Sequence, residues 1–420
     1  MRTIEDICIF LQIKEKGKGT IYNFVDDTRK LRKNNGLIVK KTAEKYINND
    51  VKRKAKIILY EEEIPLLKGK VLSFLLWFYR LKLRDFLFIG VTGTTGKSST
   101  SYLIHEHILD SYLFTNVKGI KNSYYIENTT PYNFSLIEGL LEAKKKKKTV
   151  IILELSSIAM SELRINEIYF NFIILLNLES DHLDYHKTIE NYHNAKFKYI
   201  SKFGKTNIIN SKLKEQFEFK NAIYFEAYNE EIKNLFVNEY ELIFESNYAA
   251  VNMLLSKIDS GKYKVTKLHY VEPLIGRMMV VKQKPLIIID YAHTAVAFEN
   301  ALSMFKNREG SLIVVFGCGG NRDKEKRSII GQIVLKYADV PIVTEDNSRK
   351  EELENIISNI VGKDYGKFVV IKMRSEAIRY AIKIAKPKDV VLIMGKGHED
   401  MLIGINTIHF SDIEEVKKWM

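Results

Sequence analysis

Short, continuous apolar runs alternate with longer segments of helical periodicity through most of this 420-residue chain. From residue 84 onward, the runs at 86–91, 149–155, 172–178 and 206–209 have the length and composition of strands, with helical patterns between the first three. A second alternation begins at Gly276, with runs at 285–290, 311–317, 340–344, 367–371 and 389–394. Such alternation predicts mostly parallel sheets covered by helices on both faces. Upstream, shorter runs at 36–39 and 57–59 sit among charged segments and predict a smaller block. The expected fold class is α/β, divided at 1–83, 84–272 and 273–420. No long internal period is present, which excludes a solenoid. The longest apolar stretch, 71–79, contains Ser73 and is flanked by Lys68, Lys70 and Arg80. It is too short to span a bilayer and predicts a buried helix, so no membrane insertion is expected.

Composition narrows the class only a little. The formal charge of +13 favours anionic ligands or nucleic acid, but Lys, Ile, Asn and Tyr are abundant throughout, as in a genome-wide bias. The densest basic run, Lys144 to Lys148, lies between a helix-like segment and a strand, where cations suit a helix C-terminus. No base-stacking aromatic pattern accompanies it, so nucleic acid is not an expected partner. The two cysteines, Cys8 and Cys318, rule out a disulfide framework and favour a reducing cytoplasm. The first residues lack a signal peptide's apolar core. A cytoplasmic protein is expected, and nothing compels more than a monomer.

The chemistry is most legible at Gly93-Thr94-Thr95-Gly96-Lys97-Ser98-Ser99, which follows an apolar strand pattern and opens a helix-compatible segment. Glycines let backbone N–H groups approach phosphate oxygens, and the positive end of the following helix points at them. Lys97 can reach the β- and γ-phosphates, and the Ser98 hydroxyl can sit on Mg²⁺. Strict Walker spacing would put glycine where Val91 stands, so this is a variant loop. Glu154 ends the next strand, where an acid serves either to hold a phosphate-bound Mg²⁺ or to cap a helix. The strand after it runs into Asn177-Leu178-Glu179-Ser180-Asp181-His182-Leu183-Asp184-Tyr185-His186. Open α/β sheets bind ligands at the carboxyl ends of their strands, so adjacent strands offering Glu154 and His182 there converge on one site.

In these residues the chain resembles the Mur ligases, the ATP-dependent amide-forming enzymes of peptidoglycan precursor synthesis. It is most similar to their E type, which adds the third residue of the stem peptide. Residues 93–98 resemble Gly-Thr-Asn-Gly-Lys-Thr/Ser, with Thr95 for asparagine. Asn128-Thr129-Thr130-Pro131, Glu154-Leu155-Ser156-Ser157 and Arg164 fall where the family has its Thr-Thr-Pro, Glu-Val-Ser-Ser and arginine. Asp181 to His186, then Asn194-Ala195-Lys196, resemble the second-metal segment. Further on stand Gly276-Arg277-Met278, Asp290-Tyr291-Ala292-His293-Thr294 and Phe316-Gly317-Cys318-Gly319-Gly320-Asn321-Arg322-Asp323-Lys324. Asp346-Asn347-Ser348-Arg349 resembles Asp-Asn-Pro-Arg, and Gly395-Lys396-Gly397-His398-Glu399 is intact. Asp27-Thr28-Arg29 resembles the Asp-Ser-Arg element of the UDP-binding domain, although the glycine-rich stretch after it is missing. Ile158 replaces a histidine, and Ala249 replaces the first of two paired asparagines, leaving Asn252.

The resemblance implies three domains: a reduced N-terminal α/β domain, a central P-loop ATPase domain and a Rossmann-like C-terminal domain. It implies ATP held by Gly93, Thr94, Thr95, Gly96, Lys97, Ser98, Ser99, Asn252, Arg277, Asp290 and His293. It also implies two Mg²⁺ ions, the first on Ser98 and Glu154, the second on His182 with a carbamylated Lys196. Carbamylation needs a neutral amine, hence surroundings that depress the lysine's pKa. Lys97, Glu154, His182 and Lys196 would be the catalytic set. Thr28, Thr129, Thr130, Ser156 and Arg164 would meet a UDP-muramoyl-peptide, and Asp346, Asn347, Arg349, Gly395 and Glu399 an incoming diamino acid. The implied reaction adds that amino acid, meso-diaminopimelate by the Arg349 match, to UDP-N-acetylmuramoyl-L-alanyl-D-glutamate through an acyl phosphate. A Mur-like ligase with another acceptor or amino acid, or a silent nucleotide-binding protein, are the alternatives.

Overall fold

The computed structural model describes residues 1–14, 16–321 and 324–420. Near the N-terminus, strands Asn23–Val25, Asn35–Val39 and Ile57–Tyr60 pair in parallel as a three-stranded sheet. The 71–79 stretch is the helix Val71–Tyr79, with Phe74, Leu75 and Phe78 buried. Aromatic packing fixes it: Trp77 stacks on Phe10 at 4.1 Å, and Phe24 meets Phe74 and Phe78 edge-on at 5.1 and 5.0 Å. Among the described residues, no helix is long and apolar enough to cross a membrane.

The middle of the chain forms a seven-stranded, all-parallel sheet. Its spatial order is Ala222–Phe225, Gly204–Asn210, Phe170–Leu175, Leu87–Thr92, Val150–Glu154, Ser111–Thr115, Ser123–Tyr125. Leu87–Thr92 is central, with later strands added first on one side and then on the other. That reversal opens a crevice at the carboxyl ends beside it. The strands Ser111–Thr115, Ser123–Tyr125 and Ala222–Phe225 escaped the sequence reading. Each is five residues or fewer, mixes Ser, Thr or Tyr with few aliphatics, and owes its conformation to pairing with a neighbour. The run expected at 172–178 stops pairing at Leu175, which leaves 176–182 as a loop over the crevice.

The C-terminal part is a six-stranded sheet ordered Met279–Gln283, Leu286–Asp290, Val390–Met394, Leu312–Phe316, Val340–Val343, Val369–Val370. Only Met279–Gln283 is antiparallel to its neighbour; as an edge strand of a hairpin it is half-exposed and lacks the continuous apolar signature. The expected 367–371 run pairs only at Val369–Val370, because residues 362–367 wind as 3₁₀ turns. One buried apolar cluster runs from Ile89 and Ile152 through Ala250 and Leu254 to Phe298 and Leu392, tying the two sheets together. A second joins Phe74 and Phe78 to Phe88 and Leu140 on the opposite face of the central sheet. Lys144 and Lys145 end the helix Asn133–Lys145 as solvated cations.

Candidate functional site

The phosphate-type loop crosses the carboxyl end of the central strand. Gly96 has φ +81°, and a Cβ there would lie 3.0 Å from Asn247 Oδ1 and 3.2 Å from Leu176 Cδ1, so glycine is required at the start of helix Lys97–His107. The amides of Thr94 and Thr95 both donate to Asn177 Oδ1, at 2.8 and 3.0 Å. Lys97 Nζ donates to the carbonyls of Gly93 and Thr94, each at 2.9 Å. Burial lowers the Lys97 pKa, opposed by the nearby charges of Glu154 and Asp181. Ser98 donates its hydroxyl to Glu154 Oε2 at 2.9 Å. Ser99 is half-buried in a cleft with Tyr102, Asn247 and Leu274.

Helix Ile189–Phe203 brings Lys196 under this loop. Thr188 caps the helix by accepting from the Asn191 amide, and the buried stripe Tyr192, Lys196, Tyr199, Ile200 and Phe203 faces the sheet. Lys196 is 1% exposed, and its Nζ donates to Gly93 O at 2.8 Å and Thr92 Oγ1 at 3.3 Å. Burial, reinforced by the Lys97 charge, drives its pKa well below the usual lysine range. The neutral amine that carbamylation needs is thereby favoured. Glu154, 3% exposed, has its pKa raised by burial, with Lys97, Ser98 and Arg277 pulling it back. His182 adopts a left-handed conformation (φ +53°) with Nε2 3.4 Å from Asp181 Oδ2, and burial lowers its pKa against the Asp181 charge.

Beside Glu154, a second group of side chains gathers. Buried Thr130 donates to the Glu154 carbonyl at 2.8 Å and accepts from the Ser156 amide at 2.9 Å. Arg164 Nη1 donates to Thr130 O at 3.1 Å, with its guanidinium 4.1 Å from the centre of the Tyr132 ring. Thr129 is half-buried next to them. Thr28 lies in the turn Thr28–Lys30, opened by Asp27 accepting from the Arg29 amide, and the Arg29 charge interacts with Glu127 across the N-terminal boundary. Lys40 Nζ sits 5.6 Å from the Tyr132 ring centre. The N-terminal sheet therefore overlooks the Thr129–Thr130 side of the crevice.

The C-terminal part closes the opposite side. Arg277 is half-buried, its guanidinium 4.1 Å from the Tyr291 ring centre and Nη1 3.4 Å from His398 Nδ1, and its charge interacts with Glu154 and Lys97. Asp290 accepts from the amides of Met278 and Ala292, both at 2.8 Å, so it pins the backbone next to Arg277. His293 Nδ1 lies 3.1 Å from Tyr291 O, and desolvation lowers its pKa to about 4 against the pull of the Asp181 charge. Asn252 is exposed on helix Glu245–Leu255; it is buried Asn247 on the same helix that faces Gly96.

A third cluster lies at the carboxyl end of the C-terminal sheet. Asn347, 5% exposed, donates from Nδ2 to Glu399 Oε2 at 2.8 Å, and its Oδ1 accepts from the Ile403 amide at 2.9 Å. Tyr291 donates to Glu399 Oε1 at 3.2 Å. Gly395 has φ +113°, and a Cβ there would lie 2.6 Å from Asp346 Oδ2. Arg349 Nη1 donates to the carbonyls of Gly320 and Asn347 at 2.9 and 3.1 Å, which orients its fork. Arg322 and Asp323 of the glycine-rich segment lie outside the described residues.

Asn177, Tyr192, Asn247 and Lys396 belong to these clusters but were not singled out from sequence. Asn177 opens the polar run after its strand, which was a usable signal, and Lys396 sits inside the quoted Gly-Lys-Gly-His-Glu. Tyr192 and Asn247 are polar positions within helical patterns, and nothing local marks them as facing a loop from a different part of the chain.

Two family descriptions match in order: the Mur ligase middle domain over residues 91–280 and the Mur ligase, glutamate ligase domain over residues 276–397. The chain is 32% identical to the UDP-N-acetylmuramoyl-L-alanyl-D-glutamate–2,6-diaminopimelate ligase of Clostridium perfringens, covering 96% of each chain. It is also 32% identical to the ligase of that name from Helicobacter pylori, covering 88% of this chain and 94% of the relative. Among solved structures, a ligase of the same name aligns over the whole chain at 23% identity with a TM-score of 0.57. The MurF ligase of Thermotoga maritima in complex with ADP aligns over 94% at 18% identity with a TM-score of 0.62, so both share the fold. Its sheets, its phosphate-type loop and these matches agree: the chain belongs to the Mur ligase family of ATP-dependent amide-forming ligases.

Proposed function

We propose that this ligase joins meso-diaminopimelate to UDP-N-acetylmuramoyl-L-alanyl-D-glutamate in the cytoplasm, with ATP as the energy source. The observation that carries the reading is the convergence of three clusters on one crevice: the Lys97 loop, the Thr130–Arg164 group and, across it, the C-terminal residues led by Arg277. The relatives named as diaminopimelate ligases support the choice of substrates. Residues 1–83, 84–272 and 273–420 are read as the acceptor, nucleotide and amino-acid domains.

In this reading a carboxylate oxygen of the acceptor takes the γ-phosphoryl group, ADP leaves, and the amine of the diamino acid then displaces phosphate from the acyl carbon. Lys97 and the backbone amides that open helix Lys97–His107 neutralise charge on the transferring phosphoryl group. Arg277, already within reach of the Glu154 and Lys97 charges, adds a cation from the C-terminal side. Thr130, Ser156 and Arg164 orient the acceptor, with Thr28 and Thr129 nearer its carrier end.

The donor chemistry fits a hard cation at the first metal position, since the Ser98 hydroxyl and the Glu154 carboxylate are adjacent oxygens. Among the described residues, no group of three or more His, Cys, Asp or Glu side chains forms a complete cation cage, which suits Mg²⁺ completed by phosphates and water. When bound, Mg²⁺ supplies charge neutralisation of the phosphates. His182 would belong to the second position. Lys196 Nζ donates to Gly93 O and Thr92 Oγ1; N–C bond formation with CO₂ and loss of a proton would convert it to an oxygen donor.

The purified protein, assayed for ATP-dependent phosphate release, tests this directly. Release is expected only when acceptor and diaminopimelate are both supplied. Release with neither, or with an unrelated acceptor alone, rejects the assignment.

A further inference from the structure

Arg374 is among the largest fully buried side chains of the protein, at 0% exposure. It begins helix Arg374–Ile384, and its charge interacts with that of Asp346. Its guanidinium grips Asp412, the first residue of the C-terminal helix Asp412–Lys418, in a two-point pair: Nε to Oδ1 at 2.7 Å and Nη2 to Oδ2 at 2.8 Å. Asp412 is also 0% exposed. Its other bonds go to Met394 and Glu345. Nη2 also donates to Met394 O at 2.9 Å, Nη1 donates to Glu345 O at 3.3 Å, and the Arg374 amide donates to Glu345 Oε1 at 3.0 Å.

The identity of those carbonyls matters. Met394 ends the strand Val390–Met394 and directly precedes Gly395. Glu345 directly precedes Asp346 and Asn347. One guanidinium thus bonds the last peptide before each of two segments that together carry Asp346, Asn347, Gly395 and Glu399. The clearance between those segments is small, since Asp346 Oδ2 lies 2.6 Å from where a Gly395 Cβ would be. Asn347 spans them by donating to Glu399. A pair serving only core stability would have no reason to address both chain ends, and a fixed planar fork is the side chain able to do so.

We propose that Arg374, held by Asp412, is a positioning residue that sets the spacing of the amino-acid pocket; this rests on the assignment of Asn347, Gly395 and Glu399 to that pocket. The C-terminal helix, remote from the nucleotide loop, thereby tunes recognition of the incoming amino acid. Arg374→Lys keeps the charge but has one donor group in place of the fork. It is expected to raise the KM for meso-diaminopimelate by about tenfold to a hundredfold, the range for a displacement on the order of 1 Å, with the KM for ATP unchanged. Asp412→Asn keeps the shape, weakens the grip and is expected to give a smaller shift of the same kind, which also covers the case in which Arg374→Lys fails to fold. Asn347→Ala, measured alongside, separates the two layers of the argument. If Asn347→Ala raises the amino-acid KM while folded Arg374→Lys and Asp412→Asn do not, the positioning role is wrong and the pocket stands. If none of the three moves it, the pocket assignment and the positioning role fall together. Equal rises in both KM values, or lost thermal stability with unchanged KM values, also overturn it, because a merely structural pair gives those results.

Discussion

The amine of Lys196 donates to the carbonyl of Gly93 at 2.8 Å, although the two residues are 103 positions apart in sequence. This bond ties helix Ile189–Phe203 to the phosphate-type loop and holds a lysine at 1% exposure where its charged form is disfavoured. An amine whose pKa is depressed in this way is what reaction with CO₂ would need. Lys196→Ala is therefore expected to lose at least about 10²-fold in activity, the scale for removing one key electrostatic group. Acetate or another short carboxylate is expected to restore part of it. Intact-protein mass or density showing an unmodified amine in the active, metal-loaded enzyme would reject carbamylation.

Lys97→Ala is expected to abolish ligation, by about 10²–10³-fold in kcat, with the fold intact. The side chain is half-buried, and among the described residues its hydrogen bonds go to its own loop, at Gly93 and Thr94, so little packing is lost. Circular dichroism and steady-state kinetics check both halves. Near-native turnover would show that the loop amides suffice.

Glu154 gives a pH-dependent signature. Its folded pKa is raised by burial above the unfolded value, so the folded state binds the proton more tightly than the unfolded chain does. Stability from this group is present below the usual glutamate pKa of about 4.3 and is lost as pH rises through the higher folded value. Glu154→Gln removes that loss. The melting temperature of the nucleotide-free variant, relative to wild type, is expected to climb across that window and stay higher at neutral pH. Activity is expected to fall by about 10²-fold through the lost Mg²⁺ oxygen. A pH-independent difference in melting temperature would contradict the burial argument.

Arg349 is expected to decide between diamino acids. Its Nη1 is anchored on the Gly320 and Asn347 carbonyls, which fixes the guanidinium at the edge of the Asn347–Glu399 cluster. A second carboxylate on the substrate gains a charge-assisted contact worth roughly 1.5–3 kcal/mol. Lysine brings an ammonium instead and is penalised. Meso-diaminopimelate is expected to exceed L-lysine by at least about tenfold in kcat/KM. Arg349→Ala is expected to erase most of that preference through KM. Equal use of lysine by the wild type would mean that Ser348 has re-aimed the loop.

Local order was legible because it is written in short stretches. The strand–loop–helix at Leu87–Thr92, Gly96 and Lys97–His107 follows from an apolar run, a glycine that tolerates φ +81° and a helix-compatible segment. Except for Ser111–Thr115, whose ends are Ser and Thr, the fully buried strands of both sheets announced themselves as apolar runs for the same reason. The buried helix Val71–Tyr79 did too. Short edge strands such as Ser123–Tyr125 and Met279–Gln283 did not, since their conformation comes from a partner strand and not from their own residues.

The sequence by itself determined the α/β alternation, the phosphate-type loop and which residue types stand at strand ends. Tertiary structure alone decided which of them meet. Burial of Lys196 beneath Gly93, the approach of Arg277 to His398, and the grip of Arg374 on Met394, Glu345 and Asp412 each join segments far apart along the chain. Hydrophobic patterning fixes which face of an element turns inward. The charge state and partner of a polar group depend on desolvation and on neighbours that only the packed chain supplies.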